Sequence, residues 1–472
     1  MNINDNRFVI YDFETTGRNS NWDQIIQVGA ILVDSSFNEL DRLDIRSSLK
    51  PGLIPEPAAL LVNNTSPDML KKSNFTHYHM INEVLKKFKE WSPAVFMGYN
   101  SIDFDEEFLR KTLFKTLHSP YFTQLNGNKR VDILGMVRSS SIFSPEILKH
   151  NKNEKGNPVL KLDQIAPLNN INHMAHDALG DVLATNEIAK ILSREAYEIW
   201  DAGLKSATKS NVQNIVKREL LFCFNEFFFG RTKPFIATYI CDHPIYKWPQ
   251  CFDLSKDPID YINMTKSDLA LEMKKSPKFI RTIKDNKNPL IFNFTNFLNI
   301  NNNLNERNLY IERANLIKSS EKFKNTITTL LLEEHQIKNE FESQEEIQAE
   351  ESLYKGGFLS NSDRQIMEQF HRAEWGEKLG ICDKFQDERL FYFGMRIIYE
   401  EVPSILPKDI YDNIHSSIAN QVMSMNNEKW NTIPKARKES DDLKVKYEND
   451  NERLEALKKF DLLIDEIESQ FN

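Results

Sequence analysis

The run Phe8-Val9-Ile10-Tyr11-Asp12-Phe13-Glu14-Thr15-Thr16-Gly17 constrains the fold more than any other stretch of the chain. Four apolar residues predict a buried strand, and Thr-Thr-Gly predicts the turn that ends it. Side chains alternate across a strand, so Asp12 and Glu14 project from one face. Two carboxylates held side by side repel each other unless a cation lies between them or one takes a proton. A divalent ion with oxygen ligands resolves the conflict. A solvated strand end with two exposed acids would resolve it as well. The partners that the rest of the chain supplies decide between the two.

At 472 residues the chain is too long for one compact domain, and two to four are expected. Its 40% apolar and 27% charged residues are ordinary for a soluble globular protein. The formal charge of −9 argues against a uniformly basic nucleic-acid coat but leaves room for a local basic groove. Cys223, Cys241, Cys251 and Cys382 are scattered without a C-x-x-C pair, which predicts free thiols rather than zinc or disulfides. The start of the chain has no secretory apolar segment, and no apolar run approaches membrane-spanning length. The expected location is the cytoplasm.

Ile25 to Val33 and the segment around Leu43-Asp44-Ile45 predict two further strands, joined to the first as an antiparallel meander. Pro51, Pro55 and Pro57 predict a loop. A helix follows over about 80–91, then a strand at Ala94 to Asn100. Asp105 to Leu113 has helical apolar spacing with acids in its first turn, where the helix dipole favours them. Helices are also expected over about 132–138 and from about 177, the latter with Leu179, Val182, Leu183, Ile188 and Leu192 as its buried stripe. The pattern suits a mixed α/β sheet covered by helices.

Beyond about residue 200 the texture changes. Lys205, Lys209, Lys217 and Arg218 form a basic patch that, with Trp200, could guide a strand by charge and stacking. Short β-like pieces at 235–240 and 289–292 suit a small barrel-like unit with helical insertions. The Asn-rich tract over 293–305 reads as loop or bias, and the acidic stretch 345–351 as a solvated helix face or linker. From about 353 the chain reads as helical, ending in an amphipathic helix through Leu454, Leu457, Ile464, Ile467 and Phe471.

Three residues now join the opening pair. Asp105 starts a helix after a strand and a polar turn, which N-capping alone would also explain. Asp181 lies on the helix after His176, with Gly180 beside it leaving room for an approaching group. His176 precedes that helix and is free to reach a cleft. Asp-x-Glu, a later Asp and His-x-x-x-x-Asp, in that order, resemble the DEDD exonuclease superfamily in its His-containing subclass. The segments 98–107, 128–138 and 175–185 resemble the bacterial exonuclease I family more closely. Tyr354-Lys355-Gly356-Gly357-Phe358-Leu359-Ser360 with Asp363-Arg364 is similar to its later domains.

The resemblance implies an RNase H-like nuclease domain over 1–200, an SH3-like β-barrel with helical insertions over 201–350, and a helical domain over 351–472. It implies Asp12, Glu14, Asp105 and Asp181 as ligands of two Mg²⁺ ions, with Mn²⁺ as a substitute, and His176 as general base. The implied reaction is processive 3′→5′ removal of mononucleotides from single-stranded DNA in repair and recombination, by a monomer, with single-strand DNA-binding protein as a partner and no membrane. Implied substrate contacts are Glu14, Lys161, Arg110, Tyr121 and Arg138. Lys161 stands where the family tends to carry Arg, keeping the charge without the bidentate fork. Two other readings remain: an RNA-trimming or proofreading DEDD enzyme, and a non-catalytic single-strand-binding module.

Overall fold

In the computed structural model, which describes residues 7–300, 307–341 and 347–471, the opening run forms strand β1, Phe8–Thr15. It lies at the centre of a five-stranded sheet with β2 (Ile25–Val33), β3 (Glu39–Arg46), β4 (Val95–Gly98) and β5 (Lys129–Asp132). The order is β3-β2-β1-β4-β5. The first three strands are antiparallel, and β4 and β5 join in parallel. The expected mixed sheet is therefore present, with the meander first.

Helices α1 (Pro57–Val62), α2 (Pro67–Lys71), α3 (His77–Trp91), α4 (Asp105–Lys115), α5 (Ile133–Phe143), α6 (Leu162–Leu168), α7 (Ala178–Glu195), α8 (Tyr197–Lys205) and α9 (Lys209–Arg218) follow. Pro57 does not break the chain. It opens α1 at its first turn, where its missing N–H costs nothing.

The period of β1 sets the site. Val9, Tyr11 and Phe13 pack with Ile81, Val84 and Phe88 of α3, while Phe8 and Ile10 pack with Val182 and Ile188 of α7. Asp12 and Glu14 thus lie on the α7 side of the sheet. Each fully buried aliphatic or aromatic side chain stabilises the fold by about 1.5–3 kcal/mol, which fixes β1 firmly enough to hold two acids in place. Trp200, read as a stacking platform, is 3% exposed and meets Phe8 edge-on with ring centroids 5.7 Å apart. It belongs to the core and is unavailable to a nucleic acid.

A short two-stranded ladder pairs 151–152 with 158–159. The second sheet consists of β8 (Phe222–Phe228), β9 (Arg231–Asp242), β10 (Pro249–Asp253), β11 (Ile280–Thr282) and β12 (Ile291–Asn293), so that β6 (Asn151–Lys152) and β7 (Pro158–Val159) are the ladder. Its order is β11-β10-β9-β8-β12 and every pairing is antiparallel. Among the described residues no pairing joins β11 to β12, so the expected closed barrel is not found and the SH3-like detail stays unsupported. In the Asn-rich tract Asn293 ends β12, Phe294–Ile300 forms a helix, and 301–305 lie outside the described residues. Likewise 345–346 lie outside them, while Glu350 accepts a hydrogen bond from Tyr392 at 2.7 Å and Glu351 pairs with Lys429 at 3.0 Å. Those two acids fasten the chain to the following helices instead of facing solvent as a linker.

From Asn361 the described chain is helical, ending in Asn451–Phe471. Its core is not separate: Phe370, Phe393, Phe460 and Ile464 share one apolar cluster with Ile26, Ile54, Leu60 and Phe114. All four cysteines are free. No helix among the described residues is long and apolar enough to cross a membrane.

Candidate active site

Asp12, Glu14 and Asp181 each offer a carboxylate oxygen within 4.8 Å of the others. Local sequence explains how the third acid arrives. Gly29 lies opposite Asp12 in the β1–β2 register, and a Cβ there would come within 2.5 Å of the Ala178 carbonyl carbon. Only glycine lets the first turn of α7 sit down on the sheet beside Asp12. Asp177 caps α7, accepting from the Gly180 N–H at 3.1 Å. Its other oxygen accepts from Gln27 Nε2 at 3.0 Å and Arg46 Nη2 at 2.9 Å, which pins the helix start to β2 and β3.

Asp105 enters from the other side. β4 pairs with β1 only as far as Ile10, so the β1 edge is open beyond it, and the Phe13 N–H donates to Asp105 Oδ1 at 3.0 Å. Asp105 is 2% exposed at the head of α4 and adjoins Asp12, while one of its oxygens is taken by the backbone. The turn that delivers it is folded around Asp132, which accepts from the N–H groups of Asn100 (3.0 Å), Ile102 (3.1 Å) and Leu134 (2.9 Å).

The electrostatics follow from this crowding. Burial, then Asp105, Asp181 and Glu14, push the Asp12 carboxyl well above the usual range. Burial and Asp181 push Glu14 up to about 8 against the pull of Arg46. Asp181 is raised by burial, opposed chiefly by His173, and Asp105 is raised mainly by burial. Several crowded, half-buried acids, only partly offset by Arg46 and His173, form a hard-oxygen donor set, and a divalent cation fits it. The cluster can hold such an ion through Asp12, Glu14 and Asp181.

His176 lies just before α7 with a left-handed backbone (φ 63°). It lines a cavity of about 420 Å³ together with Asp181, Lys161 and Arg138. Lys161 is exposed at the head of α6. Arg110 is placed differently: it is 5% exposed, within 3.4 Å of Glu106 and 3.5 Å of Glu107, with its guanidinium over the Tyr121 ring. Neither Arg110 nor Tyr121 lines that cavity.

His173 was not singled out by the sequence reading. Its Nε2 is hydrogen-bonded to Asp181 Oδ1, and its side chain is 3% exposed. The signal was a second histidine three residues before His176. Gly180 makes the contact possible, because a Cβ there would run into the Met174 carbonyl. The room beside Asp181 admits the 171–176 loop.

Comparison with known proteins agrees with this geometry. A model of the exonuclease family matches residues 9–189, and a model of the exonuclease I C-terminal domain matches residues 347–466. Both matches point to exonuclease I as what this chain resembles, one at each end of the chain. Exodeoxyribonuclease I of Buchnera aphidicola subsp. Schizaphis graminum is 32% identical over 46% of this chain and 45% of its own length. That of Buchnera aphidicola subsp. Baizongia pistaciae is 29% identical over 66% of this chain and 68% of its own. The chain thus spans about half the length of several curated relatives that it matches. Two solved exonuclease I structures have the same fold at low identity. The Methylocaldum szegediense structure has a TM-score of 0.83 at 21% identity, covering 98% of this chain and 100% of its own. Escherichia coli exonuclease I, in complex with a dA16 oligonucleotide, gives 0.83 at 19% identity with the same coverage. The chain thus has the fold of these two structures over nearly its whole length.

Proposed function

We propose that this protein is a metal-dependent 3′→5′ exonuclease that degrades single-stranded DNA to 5′-mononucleotides. The convergence of Asp12, Glu14 and Asp181, the last of which lines one cavity with His176, carries the reading. Two Mg²⁺ ions, replaceable by Mn²⁺, would be held by these acids with Asp105, and would supply charge neutralisation at the phosphodiester and a more acidic attacking water.

The chain's own residues do the rest. His176 takes the proton of the attacking water, a task suited to imidazole near neutral pH. Arg138 and Lys161 bind phosphate oxygens on the cavity wall, and Glu14 also faces the terminal sugar. Arg110 and Tyr121 act further out, since Glu106 and Glu107 already take up the arginine charge. Residues 1–200 carry the chemistry, and 201–350 with 351–472 enclose a path too narrow for a duplex, which supports processivity. The reading extends to a monomeric cytoplasmic enzyme of repair and recombination. Structures of the family include an E. coli exonuclease I complex with an oligonucleotide and an SSB/exonuclease I complex, so single-strand DNA and single-strand DNA-binding protein are its proposed partners.

A proofreading role is disfavoured. DNA polymerase III PolC-type of Listeria welshimeri matches 43% of this chain at 25% identity, but the family match at 347–466 belongs to exonuclease I. The test is digestion of 5′-labelled single-stranded DNA, blunt duplex and RNA side by side, with Mg²⁺ and with EDTA. Stepwise shortening of the DNA single strand from its 3′ end, in Mg²⁺ only, is expected. Comparable digestion of RNA or blunt duplex would overturn the assignment.

A further inference from the structure

The hairpin joining β8 to β9 carries Phe227, Phe228 and Phe229, exposed by 50%, 38% and 95%. Its tip is Phe229-Gly230, both left-handed (φ 51° and 73°), the two-residue turn that usually takes Asn-Gly. A phenylalanine there buries nothing and sits in a backbone region that costs a bulky residue roughly 1 kcal/mol or more. Folding gains nothing from this tip.

The hairpin is fastened to the nuclease sheet's helical cover. Asn225 Nδ2 donates to Ser139 Oγ of α5 at 2.7 Å, and Arg231 Nε donates to Asn157 Oδ1 at 2.8 Å. These ties carry Phe227 into the wall of the catalytic cavity beside Arg138, His176 and Asp181. Phe227, Pro158 and Leu160 also line a second cavity of about 400 Å³ that holds Lys155 and Arg231. The ring therefore stands where a chain leaving the acids passes outward.

Arg138 lies over this ring, with its guanidinium carbon 3.9 Å from the centroid. Among the described residues that guanidinium makes no direct ion pair or hydrogen bond, although Asp132 and Asp103 act on its charge from further off. A half-exposed aromatic ring, a free guanidinium and two further cations match the needs of one ligand. Each base has a face to stack, and each phosphate has a charge to neutralise.

We propose that Phe227 is a specificity-determining residue: its ring stacks an unpaired base of the strand leaving the catalytic cavity, and Arg138 receives the adjoining phosphate. The proposal rests on the nuclease reading above. A base inside a duplex has both faces covered by its neighbours, so the ring rewards single strands only.

The test uses the full chain with EDTA and a fluorescein-labelled oligothymidylate of about twelve nucleotides, followed by anisotropy across a salt series. F227A and F227L are expected to weaken binding about tenfold, within the range of a lost aromatic–base stack, while F227W stays within about twofold. The slope of log affinity against log salt is expected to match wild type in F227A and to fall in R138Q, which removes a phosphate contact. Circular dichroism confirms folding, and F227L keeps apolar bulk should F227A fold poorly. Binding by both F227A and F227L within about twofold of wild type overturns the proposal. So does a salt slope in F227A as low as that of R138Q, since the ring would then serve only to place the arginine. Failure of wild type with Mg²⁺ to shorten the same oligonucleotide sinks the nuclease reading itself, a result distinct from either.

Discussion

Replacing Asp12 by asparagine should make the metal-free protein more stable while removing its activity. The acid oxygens of Asp12, Glu14 and Asp181 lie within 4.8 Å of one another. At an effective dielectric constant of about 20, one fully ionised pair at that distance costs about 3 kcal/mol. The protein avoids part of this by binding protons. Glu14 titrates at about 8 when folded against 4.5 ordinarily, so the folded state holds its proton more tightly than the unfolded chain. The resulting stability is complete below about pH 4.5 and is lost as pH rises through about 8. The advantage of D12N should therefore be small at pH 5 and largest near pH 9. A gain of about 2–3 kcal/mol there corresponds to a melting temperature roughly 5 °C above wild type in EDTA. Adding Mg²⁺ should reverse the order, since a ligand at a hundred times its dissociation constant stabilises wild type by about 2.7 kcal/mol. Scanning calorimetry of both proteins, at both pH values, with and without Mg²⁺, reads all of this. A D12N protein that melts at or below wild type near pH 9 in EDTA would refute the picture of uncompensated repulsion.

Other expectations follow from single contacts. H176A should lower the rate on labelled single-stranded DNA by about 10²–10⁴-fold, read in single-turnover assays. G180A should displace the 171–176 loop from α7, because its Cβ meets the Met174 carbonyl. Losing the His173 contact to Asp181 should then weaken Mg²⁺ binding by about 10–100-fold in a calorimetric titration. R130M should destabilise the fold by about 3–5 kcal/mol in urea denaturation, because it removes a 2.8 Å partner from Glu106, which is fully buried.

Much of the site was legible because its signals are local. The alternation in Phe8–Thr15 gives the shared face of Asp12 and Glu14, and the helical spacing after Asp105 and Asp177 gives the helices that begin there. What the sequence hid depends on contacts between distant segments. Trp200 beside a basic patch reads as a surface feature until Phe8 and Phe37 are found around it. Arg110 reads as a free cation until Glu106 and Glu107, four and three residues away on its own helix, turn out to face it. The phenylalanines at 227–229 carried no sign of where their hairpin would dock, since its ties run to Ser139 and Asn157. The β-rich middle was recognised by its pieces, but strand order and closure depend on pairings that no local pattern encodes.

The apolar cluster shared by Ile26, Ile54, Leu60 and Phe114 with Phe460 and Ile464 has a consequence for timing. All the acids have been synthesised once residue 181 is made, yet the apolar wall at Ile26 and Phe114 lacks its cover until the helix Asn451–Phe471 emerges. A nascent chain therefore holds the clustered acids while the apolar wall on the far side of its sheet domain is still bare. Shortening the gene from its 3′ end should give aggregated protein rather than a smaller enzyme, because the lost helices would leave that apolar wall in water. The helices beyond residue 361 in this sense close a wall that the sheet domain leaves open at Ile26 and Phe114.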